Sequence, residues 1–251
     1  MSNNWWDNFF DETFADLLLE RPNQQQIAEV ANFLVNKLQL KAGNTVFDQC
    51  CGSGDIACEL AKKGINIIGV DQCEPYINRA RKKAEKELLS IDFQVGDALQ
   101  FVSSKPCDAV FNWYTSFGYS EDDQVNLKML KCAYESLKIG GYFMLDYTNP
   151  AYIFTNFQEH KIFKQELKKE QIIILKESQV NLERGMFIST WTYILPDGSQ
   201  QIKTGESRIY FAKDLKELLT ICGFKNIRFM GDIYGHNLTK NSPRCMAIAQ
   251  K

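Results

Sequence analysis

Four residues stand at spacings suited to holding a ligand against a tight turn of the main chain: Asp48, Gly52, Gly54 and Asp71. The run Val46-Phe47-Asp48-Gln49-Cys50-Cys51-Gly52-Ser53-Gly54 closes a β-rich segment and opens a helical one. Its glycines let the chain turn sharply and leave bare main chain for a ligand, and the following helix offers free N–H groups. Asp71 ends the next β-rich run, where a carboxylate can accept hydrogen bonds from both hydroxyls of a ribose. Its other reading is an N-cap for the helix beginning near Pro75. Asp48 would stand at the mouth of the loop, where it repels a pyrophosphate and suits a cation. Ala57 takes the place of the third glycine of a dinucleotide fingerprint, a tolerated change, so spacing alone leaves a nicotinamide dinucleotide open. Asp55, just after the second glycine, reads as a helix N-terminal acid.

These residues need a scaffold of alternating strands and helices. β-rich runs fall at Thr45–Cys50, Asn66–Asp71, Ile91–Val95, Ala109–Trp113, Tyr142–Tyr147, Asn226–Met230 and Arg244–Ala249. Helical patterns separate most of them, with short glycine-containing loops between. The expected fold is α/β: a Rossmann-like, mostly parallel seven-stranded sheet with helices on both faces. Before it, Trp5, Phe9, Phe10, Phe14, Leu17 and Leu18 recur at helical spacing, and a second helical run follows Arg21-Pro22-Asn23. After the fifth strand the regularity breaks. Three runs, Gln171–Val180, Met186–Leu195 and Gln201–Phe211, are joined by turn signals and predict an inserted antiparallel meander. The domain reading is an N-terminal helical lid (1–40), a core (41–159 and 212–251) and an inserted β subdomain (160–211) serving as substrate cap or dimer contact.

The chain resembles the class I S-adenosylmethionine-dependent methyltransferases. Asp48 to Gly54 matches their D-x-x-C-G-x-G motif, with Cys51 in the cysteine place. Asp71 matches the ribose-binding acid. Gly96-Asp97-Ala98 matches the element whose acid contacts the adenine amino group, and Leu137-Lys138-Ile139-Gly140-Gly141 resembles the turn before the fifth strand. Phe111-Asn112-Trp113 falls where the family lines the methyl-transfer site. The resemblance covers about residues 40–150 and the closing segment from about 212. It implies S-adenosyl-L-methionine as cofactor and Asp48, Cys50, Gly52, Gly54, Asp71, Gln72, Asp97, Ala98, Asn112 and Trp113 as cofactor-binding residues.

Methyl transfer needs an aligned nucleophile and, where that nucleophile is protonated, a proton acceptor. Candidates are His236, Tyr114 and Asp146; a basic amine arriving deprotonated needs none. Of the only two histidines, His160 reads as a surface residue. The aromatics from Trp113 to Tyr119 frame a pocket at the carboxyl edge of a parallel sheet, with Phe117 and Tyr119 each equally readable as core. Trp5, Trp6, Phe9 and Phe10 read equally as lid or as packing on the sheet. In the meander, Trp191, Tyr193 and Arg208 are candidates to line the acceptor site.

Composition narrows the function classes. The 251 residues carry a formal net charge of −2, so no basic field draws in a nucleic-acid backbone. Lys164, Lys168 and Lys169 read as a solvated face. No apolar run approaches the roughly 20 residues of a membrane span. The eight cysteines are not spaced as metal pairs, which suggests reduced thiols in a cytoplasmic protein and no metal site. The expected function is methyl transfer to a nitrogen or oxygen of a small molecule by a monomer or homodimer, with no nucleic-acid or membrane partner. Alternatives are an RNA or protein methyltransferase, a non-catalytic adenosine-binding relative, and a nicotinamide oxidoreductase.

Overall fold

A computed structural model of the chain describes residues 4–19, 23–167 and 170–251. Arg21, Pro22, Lys168 and Lys169 lie outside the described residues, as does the side chain of Leu18. The strands are β1 (Thr45–Gln49), β2 (Asn66–Asp71), β3 (Asp92–Val95), β4 (Cys107–Asn112), β5 (Leu137–Thr148), β6 (His160–Leu167), β7 (Glu170–Asn181), β8 (Met186–Ile194), β9 (Gln200–Arg208), β10 (Lys225–Met230) and β11 (Arg244–Gln250). The helices are α1 (Trp6–Phe9), α2 (Glu12–Phe14), α3 (Gln24–Lys37), α4 (Asp55–Ala61), α5 (Glu74–Lys86), α6 (Asp123–Ser136), α7 (Pro150–Thr155) and α8 (Ala212–Ile221).

Seven strands form one sheet in the order β10-β11-β5-β4-β1-β2-β3. β1 to β5 pair in parallel, whereas β11 runs antiparallel to both β5 and β10. The predicted α/β architecture is therefore the observed one. Chain order reverses on either side of β1, with β2 and β4 as neighbours, so a crevice opens at the carboxyl ends of β1 and β4.

Strand alternation sends side chains to two cores. Val46, Ala109, Phe111 and Trp113 join α3, α4 and α5 on one face. Phe47, Val110, Phe143 and Leu145 join α6 and α8 on the other. The sheet is covered on both faces, which is why its central strands read as near-continuous apolar runs.

The N-terminal aromatics make two short helices followed by a π-helical turn, Ala15–Leu19, where the periodicity predicts one continuous helix. Phe10 turns extended, and Asp11 starts afresh by accepting the Phe14 N–H at 2.9 Å. This segment is tied down at several points. Trp5 Nε1 donates to the Tyr119 carbonyl at 3.1 Å, and the Tyr76 hydroxyl donates to that of Asp11 at 3.0 Å. Arg79 pairs with Asp16 at 2.6 Å.

The second sheet has the order β6-β7-β8-β9, all antiparallel. It contains the three predicted runs and one more strand, β6, at the start of the predicted subdomain, where no separate strand is expected. Its register is regular: Lys161 opposes Lys176, and Lys176 opposes Trp191. Ile172, Ile174, Lys176 and Ser178 therefore share one face of β7. No helix of the described residues is long and apolar enough to cross a membrane.

Candidate active site

The loop between β1 and α4 is built around left-handed backbone. Cys50, Gly52 and Gly54 have φ of 66°, 55° and 75°. A Cβ on Gly54 would stand 2.7 Å from the Phe93 ring and 2.9 Å from Ala80, so only glycine lets α4 start this close to α5 and β3. The Cys51 N–H donates to the Val70 carbonyl at 2.9 Å, locking the loop to the end of β2. From there Asp71 reaches back. One of its oxygens accepts the Gly52 N–H and the other the Cys73 N–H, both at 2.9 Å. Each oxygen keeps a lone pair for a further donor. Burial raises the Asp71 carboxyl above its ordinary value, and the two backbone donors pull it down in part.

A cavity of about 100 Å³ opens here, lined by Cys50, Gly52, Asp71, Gln72, Asp97 and Ala98. Asp97 shapes its wall by accepting the Leu99 N–H and the Gln100 side-chain amide, each at 2.8 Å. Trp6, Phe10 and Tyr119 close it on the remaining side. Small-molecule sites usually enclose roughly 300 Å³ or more, so this cavity is a narrow one. Gln72 Nε2 donates to the Trp6 carbonyl at 3.3 Å, fastening roof to wall.

Two further groups adjoin the loop without lining this cavity. Asp48 is 3% exposed, and its carboxylate has no hydrogen-bond donor among the described residues. Burial, with the charges of Asp71 and Asp55 adding to it, pushes the Asp48 carboxyl well above the usual range. Asn112 is fully buried, and its Oδ1 has no partner. Its amide nitrogen lies 3.8 Å from the Cys50 sulfur. A buried acceptor without a donor, as at Asn112, is rare and marks a place completed by something else. A carboxylate and an amide oxygen, flanked by a glycine cradle, fit a ligand that brings positive charge and N–H or O–H groups. Asp55 sits as expected in the first turn of α4, ion-paired with Lys83.

Trp113, expected among the cofactor-binding residues, does not line this cavity. It is 5% exposed and packs against Phe33 of α3, with ring centroids 6.0 Å apart, away from both cavities of the site. Alternation along β4 is the reason, because Trp113 continues the face of Ala109 and Phe111 while Asn112 points to the opposite one.

A second cavity, of about 660 Å³, lies between the carboxyl edge of the large sheet and the inner face of β6–β9. It shares Phe10, Ser116 and Tyr119 with the smaller one, so the two meet at that wall. Tyr114 and Thr115 follow β4 in the left-handed region, with φ of 60° and 64°. Such backbone costs about 1–3 kcal/mol per residue and persists where neighbours over-determine it. Here the Asp146 side chain accepts the Tyr114 N–H at 3.0 Å, and its carbonyl accepts the Thr115 N–H at 3.1 Å.

Of the three proton-acceptor candidates, only Tyr114 lines the large cavity. Asp146 is 2% exposed and engages Arg244 through both oxygens, at 2.7 Å to Nε and 2.6 Å to Nη2. That pairing, with the bond to Tyr114, makes it a positioning residue that sets Arg244 in the cavity wall. His236 is exposed, pairs with Asp232 at 2.7 Å and lines neither cavity. Trp191 and Arg208 line the large cavity as expected, and Tyr193 does not. Tyr193 is buried with Leu17, Ile172 and Ile174, because it stands in register with Ile174 beneath the N-terminal segment. Phe117 is core, and Tyr119 is shared wall. All eight cysteines are free, five buried and three half-buried.

Lys161, Lys176 and Ser189 also line the large cavity, and sequence reasoning missed them. A signal existed for one. Lys176 continues the period-two set Ile172, Ile174 on the face of β7 that turns inward.

Comparison with known proteins agrees with this geometry. Residues 46–141 match the family described as "Methyltransferase domain". The chain is 23% identical over 247 residues to the putative methyltransferase YqeM of Bacillus subtilis, covering 96% of each. Its structure is similar to that of the CcbJ methyltransferase from Streptomyces caelestis, with a TM-score of 0.78 at 18% identity, covering 96% of this chain and 99% of that one. A second similar structure is CalS10, an amino pentose methyltransferase from Micromonospora echinaspora with S-adenosylmethionine bound. There the TM-score is 0.71 at 15% identity, covering 97% and 98%. With residues 46–141 matching that family and a matching architecture around them, the protein has the fold of the class I S-adenosylmethionine-dependent methyltransferases.

Proposed function

We propose that this protein transfers a methyl group from S-adenosyl-L-methionine to a nitrogen or oxygen atom of a small molecule. The observation that carries the reading is the meeting of two cavities at Phe10, Ser116 and Tyr119. The smaller offers the groups an adenosyl cation requires, and the larger has room for an acceptor. When bound, the cofactor supplies a methyl carbon already activated by a sulfonium.

The chain's own residues bind, orient and exclude water. Asp71 holds the ribose hydroxyls, Asp97 with Ala98 frames the adenine, and Asp48 faces the cationic end across the loop of Gly52 and Gly54. Asn112 and Cys50 support that loop from below. Tyr119 and Ser116 set the approach of the acceptor. Tyr114 is the group placed to hydrogen-bond a hydroxyl acceptor and, once its own phenol is ionised, to take that proton, whereas a neutral amine attacks without one. The segment of α1 and α2 acts as a lid over both ligands, and β6–β9 acts as the acceptor's cap. The free cysteines suit a reducing, cytoplasmic setting.

Calorimetric titration with S-adenosylmethionine and S-adenosylhomocysteine, with NADH as control, tests the reading. Micromolar binding of both adenosyl ligands is expected, weakened about 10-fold or more in Asp71→Ala, the scale of charge-assisted hydrogen bonds lost from a buried site. Absence of adenosyl binding by folded protein rejects the proposal, and NADH binding in that case points to an oxidoreductase.

A further inference from the structure

The charges around the large cavity do not balance. Its walls carry Lys161, Lys176, Arg208 and Arg244 against the single carboxylate of Glu206. Three of these five are committed elsewhere. Arg244 is paired with Asp146, Arg208 with Asp123 at 3.2 Å, and Glu206 with Arg184 at 2.9 Å. The ammonium groups of Lys161 and Lys176 have no ion-pair or hydrogen-bond partner among the described residues. They stand directly opposite each other on β6 and β7, an arrangement that like charges destabilise.

The aromatics beside Lys176 ease this without cancelling it. The Lys176 ammonium lies 4.7 Å from the Trp191 ring centroid and 5.7 Å from that of Phe187. The Lys161 ammonium likewise lies 5.8 Å from the Phe163 ring centroid. Burial, followed by the charge of Lys161, lowers the Lys176 pKa. A second observation comes from the same wall. Ser189 is 8% exposed and lines the cavity, and its hydroxyl has no partner. Two ammonium groups without a counter-charge, an unsatisfied hydroxyl and an aromatic face thus line the same wall of the large cavity.

We propose that the methyl acceptor is an organic anion whose carboxylate or phosphate docks between Lys161 and Lys176, with its body against Trp191 and its reactive atom towards Ser116 and Tyr119. This substrate class rests on the methyltransferase reading above, but the anion site itself does not. The anion supplies the counter-charge that the opposed lysines lack. A hydroxyl or amide on the same molecule satisfies Ser189. Strength comes from charge-assisted bonds in a partly dry site, and selectivity against neutral isosteres from leaving the lysines unpaired.

The test is calorimetric titration of four probes into protein saturated with S-adenosylhomocysteine: 1-naphthoate, 1-naphthyl phosphate, 1-naphthamide and 1-naphthol. At least one anion is expected to bind about 10-fold or more tightly than both neutral probes, the scale of a charge-assisted hydrogen bond. Which anion does so distinguishes a carboxylate from a phosphate acceptor. Lys176→Met removes the preference and leaves S-adenosylhomocysteine binding intact. Lys164→Met, an equal change of net charge on the opposite face of β6, preserves the preference. Equal binding of all four probes, no binding of either anion, or an unchanged preference in Lys176→Met overturns the proposal. Failure of S-adenosylhomocysteine to bind, with the anion preference present, rejects the methyltransferase reading and leaves the anion site standing.

Discussion

Asp48 is an ionisable group held where its charge has no counterpart within the fold. Its carboxyl is pushed up by burial and then by Asp71 and Asp55, so its folded pKa exceeds its value of about 3.9 in an unfolded chain. Between those two pH values the folded protein holds the extra proton, and above the higher one ionisation costs stability in full. Asp48→Asn is therefore expected to melt above wild type at pH 7.5, by about 2–4 °C for each kcal/mol relieved, with the gap closing towards pH 4. The same variant should bind S-adenosylmethionine more weakly. Scanning calorimetry across pH checks the first part, and an equal gap at both pH values would show that the carboxylate carries no such penalty. Much of this site was legible in the sequence, because the motif from Asp48 to Gly54 ties chemistry to a local turn. Side-chain direction was less so. Trp113 falls one step of alternation past Asn112, on the α3 face, and the burial that commits Asp146 to Arg244 depends on a strand 98 residues further along.

At the scale of elements, the contact of α4 with α5 and β3 depends on Gly54. Gly54→Ala places a methyl 2.7 Å from Phe93 on backbone at φ 75°, whereas Gly43→Ala, at φ 86°, meets nothing within 4 Å. Both substitutions carry the left-handed penalty of about 1–2 kcal/mol. Only Gly54→Ala adds overpacking, typically a further 1–3 kcal/mol. Thermal melts of the pair should separate the two effects, and equal losses would mean that Phe93 yields freely. The strands of the large sheet were readable because buried parallel strands are dense in apolar residues. β6 was not: Ile162 is 70% exposed on this edge strand, and the run His160-Lys161-Ile162-Phe163-Lys164 carries too little alternation to declare itself. Lys161 and Lys176 escaped for a related reason, since their pairing is a matter of register between strands. The N-terminal aromatics showed their helical period but not the break at Phe10 and Asp11, where a capping carboxylate prevails over periodicity.

Across the whole molecule, one roof covers both cavities. Trp6 and Phe10 border the smaller, while Trp5, Phe9 and Phe10 border the larger. If the proposed lid gates the cofactor, Trp6→Ala should speed dissociation of S-adenosylhomocysteine roughly 10-fold, since such changes act mainly on the off-rate. Stopped-flow displacement measures this, and an unchanged rate would mean that the roof is not the barrier.

The roof is also anchored to the second sheet. Lys203 of β9 donates to the Phe9 carbonyl at 2.8 Å and pairs with Asp11 at 2.5 Å, one strand away from Trp191. Whatever steadies β8 and β9 from within the large cavity therefore also steadies the cover of the small one. If the two cavities hold the proposed ligands and this anchoring couples them, thermodynamics requires that each change the other's affinity by the same factor. On the proposed reading, an acceptor in the large cavity would then tighten the hold on the methyl donor in the small one, through a contact made by neither ligand.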